Sequence, residues 1–84
     1  MFTLEAAKVV WEKVFENSVT ELPFEVIRTR ITYDLTNYQP EEQVKAKLEN
    51  IFERAEMPYP EEEELWKVKA GLLTALSQIN RKEI

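Results

Sequence analysis

Apolar residues recur at helical spacing in four stretches of this chain. Leu4, Ala7, Val10, Trp11, Val14 and Phe15 fall on one arc when residues are set about 100° apart, which predicts a first helix over about 4–17 with Thr3 as its cap. The stretch 22–36 is ambiguous, because Ile27, Thr29, Ile31, Tyr33 and Leu35 also alternate like a half-buried strand. The helical template fits better: it gathers Phe24, Ile27, Ile31, Leu35 and Tyr38 within roughly 80°, with Pro23 near the first turn and Arg30 four residues before Asp34. A lone strand would also have no partner in this chain. The helix reading leaves Val26 and Tyr33 on the opposite face.

The third helix, over about 40–56, reads most clearly. Gln39 is its expected cap, Pro40 its first position, and Glu41 and Glu42 its first-turn acids. Val44, Leu48, Ile51, Phe52 and Ala55 form a single stripe, and Pro58 and Pro60 on either side of Tyr59 stop the helix near Met57. A fourth helix is expected over about 60–82, opening with Pro60 and four glutamates. Leu65, Val68, Leu72, Leu76 and Ile79 centre its apolar face, and Ala75, Trp66 and Leu73 widen that face to about 180°. Gly71 interrupts it at a cost of about 1 kcal/mol relative to Ala. With Ala75 it makes a small-residue strip that would let another helix approach closely. The expected fold is all-α: one small antiparallel four-helix domain spanning residues 1–84.

Composition narrows the chemistry. The 84 residues include no cysteine and no histidine, which removes disulfides, thiolate nucleophiles, finger-type zinc sites, imidazole-ligated metals and Ser-His-Asp machinery. Di-iron bundles need Glu-x-x-His and fall with them. No apolar run approaches a membrane span, and the amino-terminus carries charges through its apolar stretch, so the default expectation is a cytoplasmic protein without a membrane partner. Nothing in the sequence calls for a cofactor. No stretch carries a motif specific enough to name a family.

The net charge of −5 hides a polarity: residues 1–40 carry −2, residues 41–64 carry −6, and the last twenty carry +3. Two complementary antiparallel helices explain that split simply. A sharper alternative is an acidic inhibitor, a nucleic-acid mimic that occupies the basic site of a nucleic-acid-binding protein or enzyme. Its acidic surface would comprise Glu49, Glu53 and Glu56 on the third helix and Glu61, Glu62, Glu63 and Glu64 at the start of the fourth. The same carboxylates are the only candidates for a Mg²⁺- or Mn²⁺-dependent helical enzyme, yet the paired E-E-x-x-E and E-x-x-D pattern is absent. Direct nucleic-acid binding is not expected, because the charge has the wrong sign and Arg28 and Arg30 point apart on a helix.

The aromatic and apolar residues point to protein interaction instead. Trp66 and Leu73 lie one heptad apart on the flank of the wide fourth-helix face, Tyr59 stands at the proline corner, and Val26 and Tyr33 form a second heptad-spaced patch. Trp66 could equally close one end of the core, and Tyr59 could simply cap the third helix. Two exposed patches on 84 residues make a homodimer the economical expectation. The sequence thus reads as a small acidic helical interaction or regulatory module without catalytic activity.

Overall fold

The structure, a computed structural model, describes residues 2–17, 22–60 and 64–79. These form four α-helices in chain order: α1 (Leu4–Asn17), α2 (Phe24–Asn37), α3 (Glu41–Arg54) and α4 (Leu65–Gln78). The all-α four-helix reading holds, and the ambiguous stretch is helical throughout α2.

One core draws on every helix. Ala7, Val10, Trp11 and Val14 of α1 meet Ile31 and Leu35 of α2, Val44, Leu48, Ile51 and Phe52 of α3, and Val68, Leu72, Ala75 and Leu76 of α4. Nearly all were expected inward; Leu4, at the first position of α1, is 37% exposed instead. The helices α1, α3 and α4 pack on one another, with α1 on α4 the most extensive pair. The Trp11 indole Nε1 donates to the Leu72 carbonyl at 2.8 Å, so the largest core side chain also has its polar atom satisfied. The helix α2 stands at the edge. Its main neighbour is α4, and it meets α1 through an edge-to-face pair between Phe24 and Phe15, centroids 4.8 Å apart.

Arg28 fastens α2 to α4. Its guanidinium donates to the Ile79 carbonyl at 2.8 Å, grips both Glu25 carboxylate oxygens, and lies 5.3 Å from the centre of the Phe24 ring. This gives a physical reason for the end of α4. The Ile79 carbonyl is taken by a side chain of α2, Ile79 itself is extended, and α4 ends at Gln78, four residues short of the expected stop; residues 80–84 lie outside the described ones.

The helix starts also differ from expectation. Thr3 caps α1 as anticipated, its Oγ1 accepting the Ala6 N–H at 3.0 Å. Pro40, expected at the first helical position, and Pro23, expected near the first turn, are both N-caps: each is extended, and their carbonyls accept the first ladder bonds, from Val26 and Ile27 and from Gln43 and Val44. The fourth helix begins at Leu65, not Pro60, with Glu64 extended at its N-cap. The segment before it is used for packing: Met57 and Tyr59 lie against the core, and the Tyr59 ring meets Phe52 edge-on at 5.2 Å. Glu61, Glu62 and Glu63 lie outside the described residues.

Gly71 has a packing role, though a different one from that expected. The close neighbour is the Phe2 ring, not a helix: a Cβ on Gly71 would stand 3.2 Å from it. Phe2 also meets Phe52, at 5.8 Å between centroids, so the chain start is seated between α3 and α4.

Candidate functional site

Because α2 packs on α4 and not extensively on α3, a groove of about 700 Å³ opens between α2 and α3. Ile27 and Ile31 of α2 form its inner wall, and Leu22 and Val26 its outer lip; Leu22 and Val26 are about half exposed, at 52% and 47%. The Lys47 ammonium lies 3.5 Å from Asp34 and bridges the groove at one end. Near the other, the Asn17 side-chain amide donates to the Arg54 carbonyl at 3.0 Å, tying the end of α1 to the end of α3. The two groove helices therefore run antiparallel. Arg30 lines the α2 side, while Glu53, Arg54 and Glu56 line the α3 side.

The Asp34–Lys47 pair crosses between helices where the sequence suggested an intrahelical pair with Arg30. Arg28 and Arg30 do point apart, one to the end of α4 and the other into the groove. Several cations are thus committed within the fold. Lys69 donates to the Tyr38 carbonyl at 3.2 Å and lies 5.0 Å from the Trp66 ring centre.

Glu56 is the least expected member of the site. α3 ends in a Schellman motif: the Glu56 N–H donates to the Glu53 carbonyl and the Met57 N–H to the Phe52 carbonyl, each at 3.0 Å. That geometry puts Glu56 at φ 57°, in the left-handed region that glycine ordinarily fills. Its charge also sits at the negative end of the helix dipole. Sequence spacing placed Glu49, Glu53 and Glu56 on one helical face, but Glu56 lies beyond α3 and the three divide. Glu53 and Glu56 belong to the groove, whereas Glu49 acts on Tyr59. Burial, and secondarily the Glu49 carboxylate, hold the Tyr59 hydroxyl above its ordinary value near 10. Among the described residues no three carboxylates converge on a possible metal position.

The remaining candidates separate into exposed and packed groups. Val26 (47%), Tyr33 (67%) and Trp66 (47%) are exposed, while Leu73 and Tyr59 are half-buried against the core. Trp66 does not close the core, and Tyr59 packs at the α3 end. Sequence reading found Val26 but missed Leu22, Arg30 and Arg54 as its neighbours, since only the α2–α3 gap brings them together. The left-handed Glu56 had a local signal: Pro58 fixed the end of α3 nearby, with no glycine available for the turn. No helix among the described residues is long and apolar enough to cross a membrane. No protein-family model, curated protein or solved structure matches the chain.

Proposed function

We propose that this protein is a non-catalytic interaction or regulatory module whose docking surface is the α2–α3 groove. The observation that carries the reading is the pair of half-exposed aliphatic side chains, Leu22 and Val26, opening onto a groove of about 700 Å³. Such a groove suits helix-in-groove recognition, with a partner's apolar stripe laid along Val26, Ile27 and Ile31 and mixed charges matched to Arg30, Glu53, Arg54 and Glu56. The strained Glu56 supports it: a residue unfavourable for the helix end in both conformation and charge, at the groove wall, is the kind of local conflict found where binding is selected over stability. A cytoplasmic setting and self-association through an exposed apolar patch belong to the same reading.

The acidic-inhibitor reading ranks second. Glu49, Glu53, Glu56 and Glu64 are exposed, but Arg54 stands among them and Arg30 and Lys47 line the same groove. The test is affinity capture from lysate with the wild type, Val26→Lys and a triple charge reversal of Glu61, Glu62 and Glu63. A stoichiometric partner lost with Val26→Lys supports groove docking. Loss only with the charge reversal, in a salt-sensitive way, transfers the function to the acidic surface. A partner indifferent to both sinks the two readings together.

A further inference from the structure

The charges along the α2–α3 groove are unevenly matched. Arg30 stands four residues before Asp34, the spacing of an intrahelical pair, yet Asp34 reaches across to Lys47 at 3.5 Å and leaves Arg30 unpaired. Arg54 lies seven residues beyond Lys47, so within about 20° of it around α3, on the side from which Lys47 meets α2. Arg30 and Arg54 thus line the groove from opposite walls, both exposed, and among the described residues neither guanidinium has a hydrogen bond or an ion pair. The neighbouring cations are committed: Arg28 to Glu25 and the Ile79 carbonyl, Lys47 to Asp34. The unpaired acids stand at the rim. Glu53 falls nearly opposite the buried stripe of α3, and Glu56 follows the end of that helix.

We infer that the groove receives an acidic amphipathic helix of another protein, with an apolar stripe on Val26, Ile27 and Ile31 and a carboxylate on each flank, one for Arg30 and one for Arg54. This rests on the reading of the groove as the docking surface and names the chemistry of its partner. Two features select that chemistry. The aliphatic wall, with Leu22 and Val26 about half exposed, calls for an apolar stripe. Guanidinium groups bind carboxylates through two parallel N–H···O bonds, whereas a base set between Arg30 and Arg54 would meet like charge from both walls. The sign is the reverse of the one that −5 suggests for the whole molecule. Long-range attraction therefore favours a basic partner, and only the groove's own side chains favour an acidic one.

Two synthetic peptides of about 18 residues, long enough to span α2, separate these outcomes. Both carry one leucine stripe at helical spacing; glutamates flank it in one and lysines in the other. Fluorescence anisotropy of the labelled peptides, titrated with the full chain to about 1 mM in about 0.15 M salt, reads the affinities. The glutamate peptide should bind at least about tenfold more tightly than the lysine peptide. Arg30→Glu and Arg54→Glu should each weaken it several-fold, and R30E/R54E should reverse the preference. Both positions are exposed, and circular dichroism melts check that the variants fold. Val26→Gln, which leaves the charges as they are, should also weaken the glutamate peptide.

Equal binding of the two peptides that is lost with Val26→Gln, or tighter binding of the lysine peptide with the same sensitivity, would overturn the acidic partner and leave groove docking standing. A preference for glutamate that neither R30E/R54E nor Val26→Gln alters would overturn both, as would the absence of binding by either peptide.

Discussion

Glu56, Gly71 and Tyr59 each set a local preference against a tertiary demand. At Glu56 the demand is the Schellman turn, and glycine would satisfy it without the Cβ penalty. Glu56→Gly should therefore stabilise the fold by about 1 kcal/mol in urea unfolding, while Glu56→Ala, which removes the charge but keeps the left-handed strain, should gain only a few tenths. If the groove is the docking surface, the glycine variant should also bind its partner less well. Gly71 runs the other way. An alanine there recovers helix propensity, up to about 1 kcal/mol, against a Phe2 ring 3.2 Å from the new methyl group. The Phe2 ring is a half-buried side chain and not backbone, so it can shift by a few tenths of an ångström. Gly71→Ala should raise the melting temperature slightly, and Phe2→Ala should lower it clearly. At Tyr59 the raised hydroxyl pKa makes stability independent of this group below its unfolded value near 10 and lost as pH rises through the folded value. Unfolding measured at about pH 9 and about pH 11 should show a loss that Tyr59→Phe reduces.

Element by element, the apolar stripes were the most legible part of the sequence. Ala7, Val10, Trp11 and Val14 in α1, and Val44, Leu48, Ile51 and Phe52 in α3, are buried as their spacing requires, since a stripe of that period has one way to leave water. The boundaries were less legible because they depend on partners distant in sequence. Arg28 takes the carbonyl at the end of α4, and Tyr59 uses the chain before α4 to pack on Phe52. Pro23 and Pro40 mark their helix starts to within one residue, whereas Pro60 stands five residues before Leu65, and φ near −60° does not distinguish N-cap from first turn because it serves both positions. Candidate surface residues were legible one helix at a time. Val26 was visible as an outward residue of α2, but its groove depends on α2 leaning on α4, which periodicity cannot encode. The α1–α4 seam carries the element-scale prediction. Trp11→Phe deletes a fully buried donor to the Leu72 carbonyl and part of a large side chain, and should cost about 2 kcal/mol with no change in the dependence on urea.

For the whole molecule, the division into a mutually packed trio and one edge helix matters more than overall shape. The radius of gyration, 12.2 Å, matches the roughly 12 Å expected for a chain of this length, so the groove is a local feature of a compact body. The edge position of α2 has a consequence in time as well as in space. A helix with one main neighbour, held at its start by Arg28 and near its end by the Asp34–Lys47 pair, can open while Trp11 and Leu72 keep the other three together. Amide hydrogen exchange should then resolve two cooperative units: the inner amides of α1, α3 and α4 exchanging only on global unfolding, and those of α2 exchanging sooner through a partial opening. Arg28→Ala should hasten the second and leave the first unchanged. The fast unit would be the thermodynamic handle of the protein, since anything that covers α2 slows its exchange in proportion to occupancy.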